Sequence, residues 1–276
     1  MAKALKPRAA PAIQGQVKRI LLVLSALAIA VVAAACFLRP RVTQDYEFPE
    51  GYLAGLETFD DADWSAALSA HVNGEGRVNY EALLKDREPL TRYLALIGAV
   101  GPTTRPELFP TREDKLAYWI NAYNAIVIDQ VLRRWPIQSV IDHKVSFFVL
   151  TRYDVDGAPI SLYSLENDTI RKGFGDERIH FALNCGGLGC PRLPAVPFRG
   201  ATLERQLQAE TDFYLAERRN VAIEGDDLVL NEIFSWYGED FKPDIKAWVT
   251  KRRPDLAIGA DTKVRYSEYD WTLNDQ

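Results

Sequence analysis

Two of the three cysteines lie in one glycine-rich loop, NCGGLGCP, and one of the three histidines precedes that loop. The cysteines are Cys185 and Cys190, and His180 is five positions before the first of them. A cysteine nucleophile acts as its thiolate, which a nearby imidazolium and converging backbone N–H groups stabilise. Gly186 and Gly187 can present such amides as an oxyanion hole. The loop therefore predicts a site with Cys185 as nucleophile and His180 as base.

Other interpretations of the same residues stay open at the level of sequence. Five residues of extended chain span about 16 Å, so His180 and Cys185 meet only if the chain turns back near Asn184. A Cys185–Cys190 disulfide would instead make the loop a structural clasp in an oxidising compartment. Disulfide exchange is less favoured, because the C-x₄-C spacing lacks a C-x-x-C motif at a helix N-terminus.

The sequence predicts neither a metal site nor a cofactor. His180, Cys185 and Cys190 supply three ligands, and no fourth stands at a zinc-finger spacing. The glycine loop has no G-x-G-x-x-G pattern and no Lys-Ser/Thr pair, and prolines interrupt the helix that should follow a phosphate loop. A nucleotide site is therefore not expected.

Three polar side chains on predicted helices are further candidates. Asn121 and Asn124 lie three apart in an almost wholly apolar segment, so they share one helix face and need hydrogen-bond partners inside the domain. They can pin a buried loop, the Cys185 loop included, or contact a substrate. Glu166 is a candidate acid or histidine-orienting carboxylate, although an exposed helix carboxylate is the more common case.

The elements that position these residues predict an α+β fold rich in helices, with short β-hairpins. The clearest helix is capped by Thr111 and runs through LAYWINAYNAIVIDQVL toward Trp135, which predicts a buried central helix with Trp119 in the core. The other predicted elements are helices over 64–71, 81–100, 162–172, 202–218 and 241–252, a strand over 179–183, and hairpins over 147–160 and around 225–227.

The N-terminal region predicts a membrane anchor. Residues 20–38 are 19 residues without a charge, which as a helix nearly match the hydrocarbon core. Five basic residues precede this run and two follow, which orients residues 1–19 toward the cytoplasm. We expect a single-pass protein of the bacterial inner membrane, with a linker over 39–60 and a periplasmic globular domain over 61–276.

Two alternatives to an uncleaved anchor share the same envelope location. The small residues ending at Ala35 resemble a cleavage site, and Cys36 follows as in a lipoprotein box, so a lipoprotein or a secreted protein cleaved near Ala35 is the alternative.

Residues 1–42 carry seven basic and no acidic side chains, which leaves a net charge of −12 on residues 43–276. An acidic domain repels phosphate backbones, so nucleic acid is excluded as a partner.

Four segments together resemble the domain of unknown function 547 family. They are LAYWINAYNAIVIDQVL, GAPISLYSLENDTIRK, RIHFALNCGGLGCPRL and LNEIFSWYGEDF, in the family's order between about Val78 and Phe241. The resemblance implies functional roles for seven polar positions: Asn121, Asn124, Glu166, Arg171, His180, Cys185 and Cys190. One position departs from the pattern, since Asn167 stands where the family usually has histidine. If that histidine is catalytic in relatives, the departure implies either that this protein is inactive or that it relies on His180 alone.

These observations lead to two functional hypotheses. The first is a membrane-anchored Cys/His-dependent hydrolase or transferase acting on an amide, ester or thiol bond, with Cys185 as nucleophile, His180 as base and Glu166 as orienting group. The second is a non-enzymatic binding module, in which the cysteine loop is a clasp and the aromatic segment from Trp236 to Phe241 meets a partner protein or peptidoglycan. The identity of a small-molecule, peptide or protein partner does not follow from the sequence.

Overall fold

A computed structural model describes residues 40–276 of the chain. This part is a helix-rich α+β fold with two small sheets, as the sequence predicts. The helices are α1 (Ala62–His71), α2 (Tyr80–Lys85), α3 (Glu88–Ala99), α4 (Arg112–Leu132), α5 (Leu162–Ser164), α6 (Lys172–Phe174), α7 (Leu203–Ala216), α8 (Ile233–Trp236) and α9 (Ile245–Arg252).

Helix α4 is the centre of the domain, and its start is fixed by a capping box. The Thr111 hydroxyl accepts from the Asp114 amide at 3.0 Å, and the Asp114 carboxylate accepts from the Thr111 amide at 3.1 Å. Every residue from Ile120 to Leu132 is buried, which confirms the predicted central helix. Trp119 differs from the prediction, since it packs against the core but is only partly buried.

Each sheet combines a hairpin with a parallel third strand. In the first, β1 (Arg41–Val42) pairs in parallel with β2 (Arg152–Val155), which pairs antiparallel with β3 (Ala158–Ser161). The turn between β2 and β3 has positive φ at Asp156 and Gly157 (52° and 77°), the conformation that suits a two-residue hairpin.

The second sheet follows the same plan later in the chain. Strand β4 (Val221–Glu224) pairs antiparallel with β5 (Asp227–Asn231), and β6 (Lys263–Ser267) joins β5 in parallel. A hairpin is therefore present near each predicted position, with strands at 152–161 and 221–231, whereas β1 and β6 are additions.

Two predicted strand segments are helical turns in the structure. The residues predicted as a strand over 179–183 begin with a 3₁₀ helix, Glu177–Phe181, whose start is capped by the Asp176 carboxylate. Ile179, His180 and Phe181 are all buried, so the alternation of a half-buried strand is missing. The first part of the 147–160 hairpin belongs to a π-helix, Val145–Leu150.

Residues 41–59, most of the segment whose composition predicts a linker, pack against the domain. Besides β1, the side chains of Phe48, Leu53, Leu56 and Phe59 lie against the main hydrophobic cluster. These apolar residues are too widely spaced to give a helix or strand pattern, so their burial is not visible in the periodicity of the sequence. The compact unit that contains them spans Arg41–Gln276.

The core consists of two hydrophobic clusters. The larger surrounds α4, and the smaller is aromatic and includes Phe181, Phe234, Phe241 and Trp248. Trp271 packs against both clusters, at the place where the candidate site lies. Within residues 40–276 no helix is long and apolar enough to cross a membrane, and the predicted anchor over 20–38 lies outside the described residues.

Candidate functional site

A cleft of about 480 Å³ brings together the polar residues that the sequence places far apart. This volume lies within the range of small-molecule sites. Its wall is formed by a π-helix (Leu165–Arg171), the 3₁₀ helix that carries His180, the cysteine loop, α8 and the segment near Trp271. Of the predicted catalytic residues, Glu166, His180 and Cys185 all line this cleft, together with Arg171 and Asn167.

His180 is held by a carboxylate that the sequence analysis did not select. Its Nε2 atom lies 2.8 Å from Oδ2 of Asp240, and the Nε group of Arg171 donates to the same oxygen. The imidazole also stacks on the ring of Tyr237, with 4.0 Å between centroids. The side chain of His180 is only 2% exposed, so the carboxylate and the stacked ring hold it in one orientation.

The protonation states in this network follow from its donors. The hydrogen bond from His180, with a further one from Arg171, holds the pKa of Asp240 well below its usual range. An ionised carboxylate can only accept, so Nε2 of His180 carries a hydrogen and Nδ1 is the basic nitrogen of the neutral ring. In its neutral form His180 therefore has the tautomer of a general base oriented by a carboxylate.

Glu166 has a different environment from the one predicted. Its Oε2 atom accepts from the Tyr123 hydroxyl at 3.1 Å, and its Oε1 atom accepts from the hydroxyl of Tyr237. Burial raises the pKa of both tyrosines, so both keep their protons and donate. Both oxygens of Glu166 are thus engaged by tyrosines, and the group that orients His180 is Asp240.

The cysteine loop is closed by a Cys185–Cys190 disulfide. Cys185 is partly exposed at the cleft, whereas Cys190 is buried. The Gly186 amide donates to the side chain of Asn184 at 2.9 Å, and the Gly187 amide donates to Sγ of Cys190 at 3.2 Å. The amides predicted to form an oxyanion hole are therefore already occupied within the loop.

Buried amide side chains fix the base of this loop. Asn124 donates to the Ala182 carbonyl and accepts from the Asn184 amide, each at 2.9 Å. Asn184 in turn donates to the Pro191 carbonyl at 2.7 Å. Asn121 pins another segment, since it forms two backbone hydrogen bonds to Phe198. These partners give both predicted helix asparagines a positioning role, and the one that holds the cysteine loop is Asn124.

Aromatic side chains form the other wall of the cleft. The rings of Trp236 and Trp271 stack with centroids 5.7 Å apart, and Tyr269 lies 4.6 Å from Trp271. Trp236 is 42% exposed, but Phe241 is fully buried. The segment from Trp236 to Phe241 is therefore not one continuous aromatic surface. The aromatic platform instead combines the exposed ring of Trp236 with the partly buried ring of Trp271. Lys144 lies over the Trp271 ring at 5.7 Å.

The residues missed by the sequence analysis share one property: their role depends on long-range pairing. Asp240 lies 60 positions from His180, and Tyr269 lies 84 positions from Cys185. A signal for Asp240 was present, because it lies in the LNEIFSWYGEDF block that resembles the family. The aromatic residues of that block instead favoured the prediction of a binding surface. Within residues 40–276 no group of three or more His, Cys, Asp or Glu side chains is arranged to hold a metal ion.

Residues 108–215 match the family described as Protein of unknown function, DUF547. This match supports the resemblance of the sequence to the domain of unknown function 547 family. The matched DUF547 segment includes Glu166, Arg171, His180 and both loop cysteines, and it ends before Asp240 and the aromatic platform. No curated protein and no solved structure matches the chain.

Proposed function

We propose that the cleft binds a small organic ligand and that His180 exchanges a proton with it through Nδ1. The observation that carries this proposal is the buried imidazole of His180, oriented by Asp240 and lining a cleft with aromatic walls. Pockets of this size with a few convergent polar groups are the usual form of small-molecule sites. A flat ligand face would pack on the platform of Trp236 and Trp271, and its polar groups would meet His180.

The reaction class that suits these groups is hydrolysis or group transfer at an amide, ester or thiol bond. In the disulfide form Cys185 has no thiolate, so His180 would act as base toward water or a ligand hydroxyl. In the reduced protein Cys185 would be the nucleophile at the same cleft, with His180 as base and Asp240 as orienting group.

The test uses p-nitrophenyl acetate as an active-ester probe and the full chain with Cys36→Ala, which removes the only other cysteine. We expect turnover above that of free imidazole, lost in His180→Gln and kept in His143→Gln, a variant of an exposed histidine outside the cleft. A further gain after reduction that Cys185→Ser abolishes would support the nucleophile. Equal turnover in His180→Gln and the parent chain would refute the acid–base site.

A second candidate is a non-enzymatic binding module with the disulfide as a clasp. The bonded loop and the exposed ring of Trp236 favour it. Its test is co-sedimentation with purified peptidoglycan sacculi. Binding that Trp236→Ala abolishes, in a protein without His180-dependent turnover, would select this candidate. If the protein does not bind sacculi, the binding module must have a protein partner, which cross-linking would detect. Cross-links that are the same in the parent chain and in Trp236→Ala would refute this form of the candidate.

We also propose that residues 20–38 anchor the chain in a bacterial inner membrane with the DUF547 domain in the periplasm. The uncharged run and the bias of basic residues before it support this topology, and an intrachain disulfide is typical of an oxidising compartment. External protease should digest the domain in spheroplasts. A domain protected there, but digested after lysis, would contradict the topology, and mass spectrometry of the N-terminus would reveal cleavage near Ala35.

A further inference from the structure

The two sulfurs of the disulfide have unequal surroundings. Cys185 is partly exposed and lines the cleft, so a molecule in the cleft can reach its sulfur. Cys190 is 2% exposed and belongs to the aromatic cluster of the core. A thiolate that enters the cleft can therefore attack only one sulfur, that of Cys185.

Hydrogen-bond donors converge on the other sulfur. The Cys190 Sγ atom accepts from the Cys185 amide at 3.1 Å, from the Gly187 amide at 3.2 Å and from the Tyr269 hydroxyl at 3.0 Å. The Tyr269 hydroxyl also lies 3.0 Å from Sγ of Cys185, and burial raises the pKa of Tyr269, so the hydroxyl keeps its proton. Two backbone amides and a hydroxyl are thus in place to stabilise negative charge on Cys190.

The backbone that aims these donors is held firmly. Gly186 has a φ of +88°, a conformation that favours glycine and turns the Gly187 amide toward Cys190. The next two amides bind the chain near the C-terminus: Leu188 donates to the Thr272 carbonyl and Gly189 to the Asp270 carbonyl, each at 2.7 Å. The donor set therefore exists before any reduction and does not need to assemble around the departing sulfur.

We propose that the Cys185–Cys190 disulfide is a redox-active pair that oxidises small thiols entering the cleft, with Cys185 as the sulfur attacked and Cys190 as the leaving thiolate. In the first step the thiolate forms a bond to Sγ of Cys185, the Cys185–Cys190 bond breaks, and its electron pair goes to Cys190. A second thiolate then attacks the mixed disulfide and releases Cys185 as thiolate. Two thiols become one disulfide, and the protein disulfide gains two electrons and, after protonation, two protons.

This chemistry does not depend on the thioredoxin-like spacing that the sequence lacks. There a helix N-terminus stabilises the thiolate, whereas here two loop amides and Tyr269 supply the donors. The rate of exchange rises as the pKa of the leaving thiol falls, so the donors favour departure of Cys190. The inference deepens the proposed function, because it names thiols as a ligand class of the same cleft.

The experiment uses the full chain with Cys36→Ala and reduced glutathione as probe, followed by mass spectrometry of acid-quenched protein. We expect glutathione to appear on Cys185 and not on Cys190. Cys190→Ser, which removes the resolving sulfur, should take up oxidised glutathione stably at Cys185, whereas Cys185→Ser should not react until it is unfolded. Attachment to Cys190, or a disulfide that withstands excess dithiothreitol in the folded protein, would overturn the proposal.

Tyr269→Phe separates a redox role from a merely structural disulfide. It removes one of the three donors to Cys190 and should slow reduction by dithiothreitol about threefold to tenfold. Tyr266→Phe, which alters an exposed tyrosine on β6, is the matched control and should leave the rate unchanged. An unchanged rate in Tyr269→Phe would contradict the leaving-group assignment. Reduction of the disulfide does not require His180. A failure of the redox proposal, seen in the reduction rate, is therefore distinguishable from a failure of the proposed function, seen in the ester turnover of His180→Gln.

Discussion

Two carboxylates, Asp129 and Asp240, each accept hydrogen bonds from more than one side chain, but only Asp240 has partners that line the cleft. Asp129 on α4 has a fully buried side chain and binds Arg87, Arg133 and the Tyr153 hydroxyl. Asp240 is 25% exposed at its side chain and binds Arg171 and His180. The first binds only guanidinium groups and a hydroxyl, whereas the second also binds an imidazole, whose two ring nitrogens can each carry a hydrogen.

The difference shows what makes a charge network functional rather than structural. An arginine keeps its proton throughout the physiological range, so the Asp129 cluster can only hold elements together. An imidazole bound to a fixed carboxylate can gain and lose a proton at its other nitrogen, and His180 lines the cleft in which we propose that a ligand binds. The same principle distinguishes the two sulfurs of the loop. The sulfur of Cys185 lines the cleft, whereas the sulfur of Cys190 accepts the hydrogen bonds that can stabilise a thiolate.

The largest effect on stability should come from the cluster around Asp129. Asp129→Asn leaves two guanidinium groups without their carboxylate and should lower the free energy of unfolding by about 3 to 5 kcal/mol. Asp154→Asn, which removes a more exposed ion pair with Arg41 at 2.7 Å, should cost less than about 1 kcal/mol. Urea denaturation of the three proteins measures this. Equal losses in the two variants would show that burial does not distinguish these carboxylates.

The next effect concerns the scaffold under the cleft. Asn124→Ala leaves the Ala182 carbonyl and the Asn184 amide without partners in a buried site, and should cost about 2 to 3 kcal/mol. Asn167→Ala, whose side chain binds only the Tyr163 carbonyl at 3.1 Å, should cost about 0.5 kcal/mol or less. The measurement is again urea denaturation. A loss at Asn124 as small as that at Asn167 would contradict its role in holding the cysteine loop.

Much of the scaffold could be predicted because its signals are local. The cap at Thr111, the continuous apolar character of α4 and the turn residues at Asp156 and Gly225 depend on neighbours in sequence, and all correspond to observed elements. The prediction was wrong over 179–183, where a short apolar run satisfies a strand or a helical turn equally well and only the tertiary environment decides.

The candidate site could be predicted only in part, because residue type is a local signal and the partners of these residues are distant in sequence. His180, Cys185 and Glu166 were found by residue type, and they line one cleft. Their partners were not, because Asp240 and Tyr269 acquire a role only when distant segments fold onto the loop. Sequence spacing also could not decide between free thiols and a disulfide, since both are compatible with a five-residue separation.

The carboxylate that binds His180, Asp240, should affect function more than stability. Asp240→Asn should reduce the free energy of unfolding by less than about 1 kcal/mol, since the pair is partly exposed. It should lower His180-dependent turnover of p-nitrophenyl acetate by about tenfold or more, because an amide can stabilise the wrong tautomer of the imidazole. Asp129→Asn, measured at a temperature where it is folded, is the control and should retain turnover. Unchanged turnover in Asp240→Asn would remove Asp240 from the site.

The smallest effect is the pH dependence of the contribution of Asp240 to stability, and its sign follows from the direction of the shift. The hydrogen bonds from His180 and Arg171 depress the pKa of Asp240 in the folded protein, so the ionised carboxylate stabilises the fold at pH values above the unfolded pKa of about 3.9. That contribution is lost as the pH falls below this value toward the depressed folded pKa. The difference in unfolding free energy between the parent chain and Asp240→Asn should therefore shrink as the pH falls below about 4. Urea denaturation from about pH 7 to about pH 3 measures it.

Since His180 is the largest cause of the shift, His180→Gln should weaken this acid dependence more than Arg171→Met does. A difference that stays constant to the lowest pH would mean that Asp240 is not held ionised by its partners, and the contrast with Asp129 would then lose its electrostatic basis.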